Sequence, residues 1–322
     1  MYLLITIIRN FLFDCGIIKA KRYKDVKVLC IGNIRVGGTG KTPMIEYLIR
    51  KLNDEFTLSV VSLGYKRKSK GLKEVLSTDS ATEVGDEPKQ MKDKFPNIPF
   101  FVNKDRNVAI DFIRKNIPTT QVILLDDAFQ FRKTQPDISV LLTEYNRPYF
   151  NDCIMPYGRL RERRKESKRA DYIIVTKCPA DISDDNKKDF IKKLNPLEHQ
   201  QVFFSKIHYT IKTMQSEENL TEQHPKNTKL LFVAGIDNPA PAVEFLKGKG
   251  YEVTLRKFAD HHTFTQKEII EIKNIAKKGY RIITTEKDAV RLKSFDINFD
   301  VLCIENRIDD GFTDNLKEKL RR

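Results

Sequence analysis

Short apolar runs alternate with amphipathic stretches through the first 180 residues of this 322-residue chain. Residues 28–32 (VLCIG) form a buried-strand pattern that ends in glycine. Residues 43–52 follow with Met44, Ile45, Leu48, Ile49 and Leu52 at helical spacing. Further strand patterns fall at 57–62 (TLSVVS), 98–102, 121–125 (QVILL), 138–142 (ISVLL) and 172–176 (YIIVT), and helical patterns such as 107–115 lie between several of them. Buried strands that alternate with helices predict an α/β fold, a mostly parallel sheet covered on both faces. The pattern weakens over the polar stretch 180–228. A second series then opens, with strands expected at 230–234, 251–256, 281–285 and 301–305 and helices near 240–247 and 266–277. The expected organisation is a core over 1–205 and a smaller α/β lobe over 206–322.

The first 18 residues, MYLLITIIRNFLFDCGII, are mostly apolar but carry Arg9 and Asp14. A spanning helix needs about 20 consecutive apolar residues, and a secretory signal needs a basic start and a small-residue cleavage site that are missing here. Lys19, Lys21, Arg22 and Lys24 follow directly. Two readings stay open: an apolar helix in a membrane interface with its lysines over anionic headgroups, or a helix packed on the core.

Composition is that of a globular protein, 40% hydrophobic and 32% charged. The net charge of +14 favours anionic partners without choosing among nucleic acid, anionic lipid and a phosphorylated substrate. Five scattered cysteines with no C-x-x-C pair argue against a disulfide framework or a zinc site and for a reducing compartment.

The chemistry begins at residues 32–42, GNIRVGGTGKT. A glycine-rich turn after a strand offers successive backbone N–H groups to phosphates, and the following helix points its positive end at them. Gly37, Gly38, Thr39, Gly40, Lys41 and Thr42 would form this P-loop. Lys41 reaches the β- and γ-phosphates, and the Thr42 hydroxyl ligates Mg²⁺. Arg35 stands where the usual pattern has glycine. Residues 122–127 (VILLDD) place Asp126 and Asp127 at the end of a buried strand, where such proteins hold their magnesium. Residues 84–88 (VGDEP) read as a tight loop with adjacent acids Asp86 and Glu87, and a carboxylate that takes a proton serves phosphoryl transfer to a hydroxyl. Residues 260–262 (DHH) offer an Asp–His arrangement for acid–base work, or a surface pair. Residues 159–169 (RLRERRKESKR) hold seven basic and two acidic side chains, suited to gripping phosphate or to a solvated face.

In this order the motifs resemble the tetraacyldisaccharide 4'-kinases of lipid A biosynthesis. The resemblance runs from RNFLFDCGI (9–17) through GNIRVGGTGKTP, SLGYKR (62–67), VGDEP, DDAFQ (126–130) and MPYGRLRE (155–162) to FADHHTFT (258–265) and TTEKDAVRL (284–292). The family keeps a non-glycine residue at the Arg35 position, while Leu63 and Ala128 replace its usual Arg and Gly. The resemblance implies transfer of the ATP γ-phosphate to the 4'-hydroxyl of an acylated glucosamine disaccharide 1-phosphate, at the cytoplasmic face of the bacterial inner membrane. It implies Asp86 as base with His261 from the second lobe as its partner, so that closure of the lobes would assemble the site. Thr42 with Asp126 or Asp127 would hold Mg²⁺, and Arg161 and Glu162 would lie near the phosphates or the metal. Nucleic acid is not an expected partner. The competing readings are a P-loop ATPase acting on nucleic acid, motivated by the charge, and a non-catalytic nucleotide-dependent membrane adaptor. A guanine-specifying N-K-x-D motif is missing, since Thr176-Lys177-Cys178-Pro179 lacks both Asn and Asp.

Overall fold

The apolar runs become the strands of a buried parallel sheet. The computed structural model describes residues 2–213, 227–260 and 262–322, with side chains from residue 4 onward. The chain forms two units, Met1–Ile207 with Asn306–Arg322, and His208–Glu305.

In the first unit the strands are β1 (Lys27–Gly32), β2 (Leu58–Ser62), β3 (Lys73–Glu74), β4 (Phe100–Val102), β5 (Val122–Leu125), β6 (Ile138–Glu144), β7 (Tyr172–Cys178) and the first part, through Ile207, of β8 (Gln201–Thr213). Their order is β8-β7-β6-β1-β5-β2-β4-β3, parallel throughout except for the short β3. The helices are α1 (Tyr2–Asp14), α2 (Lys41–Leu52), α3 (Ala81–Val84), α4 (Asp86–Lys94), α5 (Arg106–Asn116) and α6 (Asp184–Leu194). Both sheet faces are covered. Leu29 and Ile31 turn to a core with Met44, Ile45 and Leu48 of α2, while Val28 and Cys30 turn to a second core with Ala109, Ile110 and Ile113 of α5. Strand order reverses about β1: the chain leaving β1 runs beyond β5 to β2, and the chain leaving β5 crosses back to β6. Ligands of doubly wound sheets bind at the carboxyl ends of the strands around such a reversal.

The second unit holds a parallel array β10-β9-β11-β12, with β9 (Lys229–Ala234), β10 (Glu252–Lys257), β11 (Arg281–Thr285) and β12 (Asp300–Ile308), the last of these up to Glu305. Its helices are α7 (Ala240–Gly248), α8 (Gln266–Ala276) and α9 (Glu286–Leu292). The expected assignment of all of 206–322 to this lobe differs from the structure at its end. Residues Asn306–Arg322, with helix α10 (Phe312–Arg321), belong to the first unit. The reason is packing. Phe312, Leu316 and Leu320 recur every four residues and join the first core, where the Phe312 and Tyr172 rings meet edge-on at 5.5 Å.

Candidate active site

The loop between β1 and α2 is held from both sides. Asn33, fully buried, donates to the Thr39 hydroxyl, and Thr176 at the end of β7 donates to the Thr39 carbonyl at 2.9 Å. Lys177 donates to the Gly38 carbonyl and pairs with the buried Glu144 at 2.6 Å. Gly40, at φ 90°, ends the loop where α2 begins, a left-handed conformation that costs glycine least. Lys41 and Thr42 therefore fall in the first turn of α2, where the helix N–H groups are unpaired. Arg35 is a strut here. Its Nε donates to Asp152 at 2.7 Å, and its neighbours pair with the 159–161 segment through Val36 N to Arg159 O and Arg161 N to Ile34 O, both 2.8 Å.

Two acids leave β5 and meet different surroundings. Asp127, at φ 46°, takes both terminal nitrogens of Arg161 at 2.8 and 3.2 Å, and Lys41 Nζ stands 3.7 Å away. Burial raises its pKa, but Lys41 and Arg161 outweigh that and hold the carboxyl below its usual range. Asp126 is 1% exposed and accepts one hydrogen bond, from Ser62 Oγ at 3.0 Å, while its Oδ1 is buried without a partner. Burial first, then the charges of Glu87 and Asp127, push its pKa up to about 7.

Asp86 and Glu87 open α4, half-buried in its first turn. The expected tight loop at 84–88 is instead the junction of α3 and α4, with Gly85 at φ 98° between them and Pro88 accepted in the first turn because it lacks the N–H that would go unused there. Glu46 of α2, 1% exposed, ties the two helices together. It accepts from Gln90 at 3.1 Å and pairs with Lys94 at 2.7 Å and with Arg50 at 3.4 Å.

Glu162 needs a correction. Expected near the phosphates or the metal, its carboxylate is fully buried and taken up by four donors: Arg9 (2.7 Å) and Asn10 (2.9 Å) on one oxygen, Arg169 (2.7 Å) and Gln130 (3.3 Å) on the other. An oxygen pair so occupied has no lone pair left for a cation. Arg161, its neighbour, does face the loop, donating to the Asn33 carbonyl at 3.3 Å.

In the second unit His261 lies outside the described residues. Beside its position, Asp260 stands 3.8 Å from Lys287, and His262 pairs with Glu268 at 3.0 Å. The two motifs of this unit meet there: Asp288, fully buried, accepts from Gly235 N and Thr285 Oγ1, while Arg291 bridges Asp288 and the His262 carbonyl. Sequence reasoning missed Thr176 and Lys177 as braces of the loop. Their signal was position, two polar residues at the end of a buried strand.

A strand, a glycine-rich turn with lysine and threonine at a helix start, and a buried acid on the adjacent strand form the geometry that receives a triphosphate. The tetraacyldisaccharide-1-P 4'-kinase family model matches residues 1–321. The chain belongs to this family. A tetraacyldisaccharide 4'-kinase of Flavobacterium johnsoniae is 42% identical over 293 residues, covering 91% of this chain and 85% of that protein. One of Bacteroides thetaiotaomicron is 40% identical over 307 residues, covering 91% and 80%. The crystal structure of an "apo" form of LpxK from Aquifex aeolicus in complex with ATP superposes with a TM-score of 0.77 at 27% identity, covering all of this chain and 95% of that one. The family thus joins the two groups of motifs, one in each unit, in a single enzyme class.

Proposed function

We propose that this chain transfers the γ-phosphate of ATP to the 4'-hydroxyl of tetraacyldisaccharide 1-phosphate. The observation that carries the reading is the loop that ends at Lys41 and Thr42, with the partner-less Asp126 oxygen on the neighbouring strand. The residues fit a magnesium ion. Mg²⁺ is held by one or two carboxylates together with substrate phosphates, and among the described residues no group of three or more His, Cys, Asp or Glu is gathered to hold a metal alone. Asp126 and the Thr42 hydroxyl would hold it. Asp127, occupied by Lys41 and Arg161, would orient those cations. Bound Mg²⁺ would neutralise charge on the phosphates.

Asp86 is the base. As the 4'-oxygen bonds to the γ-phosphorus, the bond from that phosphorus to the β–γ bridging oxygen breaks, the hydroxyl proton passes to Asp86 and ADP leaves. His261 is assigned as its partner by the family resemblance.

The acceptor is a lipid, and α1 suits a lipid surface. Leu4, Ile5, Ile8 and Phe11 are 49–62% exposed along one face, while the polar Thr6 and Asn10 are buried. The exposed Lys19 and Lys24 lie just beyond its end. Among the described residues no helix is long and apolar enough to cross a membrane. The reading is a helix lying in the interface of an anionic leaflet, at the cytoplasmic face of the inner membrane.

The test is incubation of the purified chain with ATP, Mg²⁺ and the acylated disaccharide 1-phosphate, followed by mass spectrometry for one added phosphate. Absence of product, where a known kinase of the family forms it, overturns the proposal. Hydrolysis stimulated by DNA or RNA in place of product would favour the nucleic-acid ATPase instead.

A further inference from the structure

The helix offered to the lipid surface is wired to the phosphate loop. On the inner side of α1, Asn10 is 2% exposed and gives its amide to Glu162 at 2.9 Å, beside the Arg9 guanidinium at 2.7 Å. Glu162 is next in sequence to Arg161, which clamps Asp127 and donates to the Asn33 carbonyl. The other Glu162 oxygen accepts from Gln130, whose amide also donates to the Asn33 carbonyl at 2.7 Å. Arg132, in the same turn after β5, donates to the Asn10 carbonyl at 2.9 Å and pairs with Asp14 at 2.8 Å. Two backbone segments that flank the loop, 126–132 and 161–162, are therefore each pinned to α1.

A buried carboxylate with four donors is costly to desolvate, and an apolar contact of the same volume would seat a helix at lower cost. What the ionic arrangement adds is a fixed direction, since a carboxylate shared among four donors tolerates little displacement of any of them. We propose that Asn10 and Glu162 are positioning residues for the phosphate site: α1, seated through Asn10, holds the 161–162 segment and thereby the Arg161 guanidinium at the place where the triphosphate binds. Neither residue touches the nucleotide. The consequence is that seating of α1 and nucleotide affinity are coupled, so the site is complete when the helix lies in place. The inference rests on the reading of the loop as the nucleotide site.

The test is a reversal of the pair, read by equilibrium titration with a fluorescent ATP analogue and Mg²⁺ in the absence of lipid. Asn10→Asp sets two carboxylates together and is expected to weaken nucleotide binding about tenfold, within the range of coupling through packed polar networks. Asn10→Asp with Glu162→Gln restores one donor and one acceptor, and is expected to recover affinity to within about threefold. Asn10→Leu removes the bond without adding charge and is expected to fall between them. Thermal unfolding of each variant separates displaced positioning from lost folding, and Asn10→Leu carries the test if Asn10→Asp does not fold. Wild-type affinity in folded Asn10→Asp and Asn10→Leu overturns the inference, as does a double variant no better than Asn10→Asp alone. Lys41→Ala separates the two levels. If it loses nucleotide while the Asn10 variants keep it, the positioning role fails alone; if it too binds normally, the reading of the loop fails and the inference with it.

Discussion

The two edges of the phosphate loop each present a buried carboxylate, and the two are opposites. Glu162, on the 161–162 side, is saturated by two arginines and two amides. Asp126, on the β5 side, has one hydroxyl donor and an empty oxygen. Folding alone accounts for the first, because every lone pair has a donor within the protein. It does not account for the second, because an unpaired buried oxygen costs free energy that a Ser or Val there would avoid. The contrast teaches which acid to assign to structure and which to a ligand that arrives later.

Glu46 is the most demanding check, because it resembles Glu162: 1% exposed, between α2 and α4, with Gln90, Lys94 and Arg50 as donors. Removing it leaves Lys94 without that partner and opens a gap between the helix that starts at Lys41 and the one that starts at Asp86. Glu46→Ala should cost about 3–5 kcal/mol of unfolding free energy in denaturant titration, the scale for breaking a buried ion pair. A cost under about 1 kcal/mol would mean that saturation is no sign of a structural carboxylate.

Asp126→Asn tests the other side. Turnover should fall at least about 100-fold, roughly 3 kcal/mol in the barrier, as for loss of a group that stabilises transferred charge. The same change should stabilise the nucleotide-free protein. The folded-state pKa of Asp126 is raised to about 7 from 3.8. Between these values the folded chain holds a proton that the unfolded chain has released, so wild-type stability falls as pH rises from about 4 to about 7. Asn is neutral throughout. After allowing for its own unpaired amide, it should gain roughly 1–2 kcal/mol at pH 8. The gain should shrink by about 1.4 kcal/mol per pH unit below the folded-state pKa, vanish at about pH 6 and give way to a loss toward about pH 4. Equal melting temperatures of the two proteins at pH 8 would place Asp126 with the ordinary carboxylates.

How much of this was legible beforehand follows the same division. The strands around the loop were readable because a strand buried on both faces is a continuous apolar run, as at 28–32 and 122–125. β8 was not, because its burial is partial and irregular along Gln201–Thr213 and its polar positions merge with the stretch around it. α10 was missed for a related reason: only Phe312, Leu316 and Leu320 of its ten residues are buried. Lys41, Thr42 and the acid pair were visible as motif chemistry. The motifs held the partners of the buried acids but not the pairing of each with its acid. Arg9 and Asn10 lie more than 150 positions from Glu162, and only the fold makes them its donors. The buried Asn10 also left open the two readings of the N-terminal helix, since a polar inner face and an apolar outer face cannot be told apart from composition alone.

The smallest effect belongs to a carboxylate at the solvent edge, which completes the scale. Glu268 of the second unit is about a quarter exposed, with His262 at 3.0 Å and the Thr265 amide at 2.8 Å in a capping box at the start of α8. The His262 hydrogen bond first, and the Thr265 amide next, hold its pKa down to about 2 from 4.5. A depressed carboxylate contributes stability that is full above the unfolded value and is lost as pH falls from about 4.5 through about 2. Glu268→Gln keeps the capping geometry, because glutamine also serves at that position, and removes only the charge. Solvent screening limits the loss to about 0.5 kcal/mol at pH 7, with no difference from wild type near pH 2. Of the carboxylates compared, this one has partners but little burial, Glu46 and Glu162 have both, and Asp126 has burial with a single donor, Ser62. A loss above about 2 kcal/mol in Glu268→Gln would mean that partners alone, without burial, set the contribution, and the contrast at the loop would then have to be drawn from hydrogen-bond counts only.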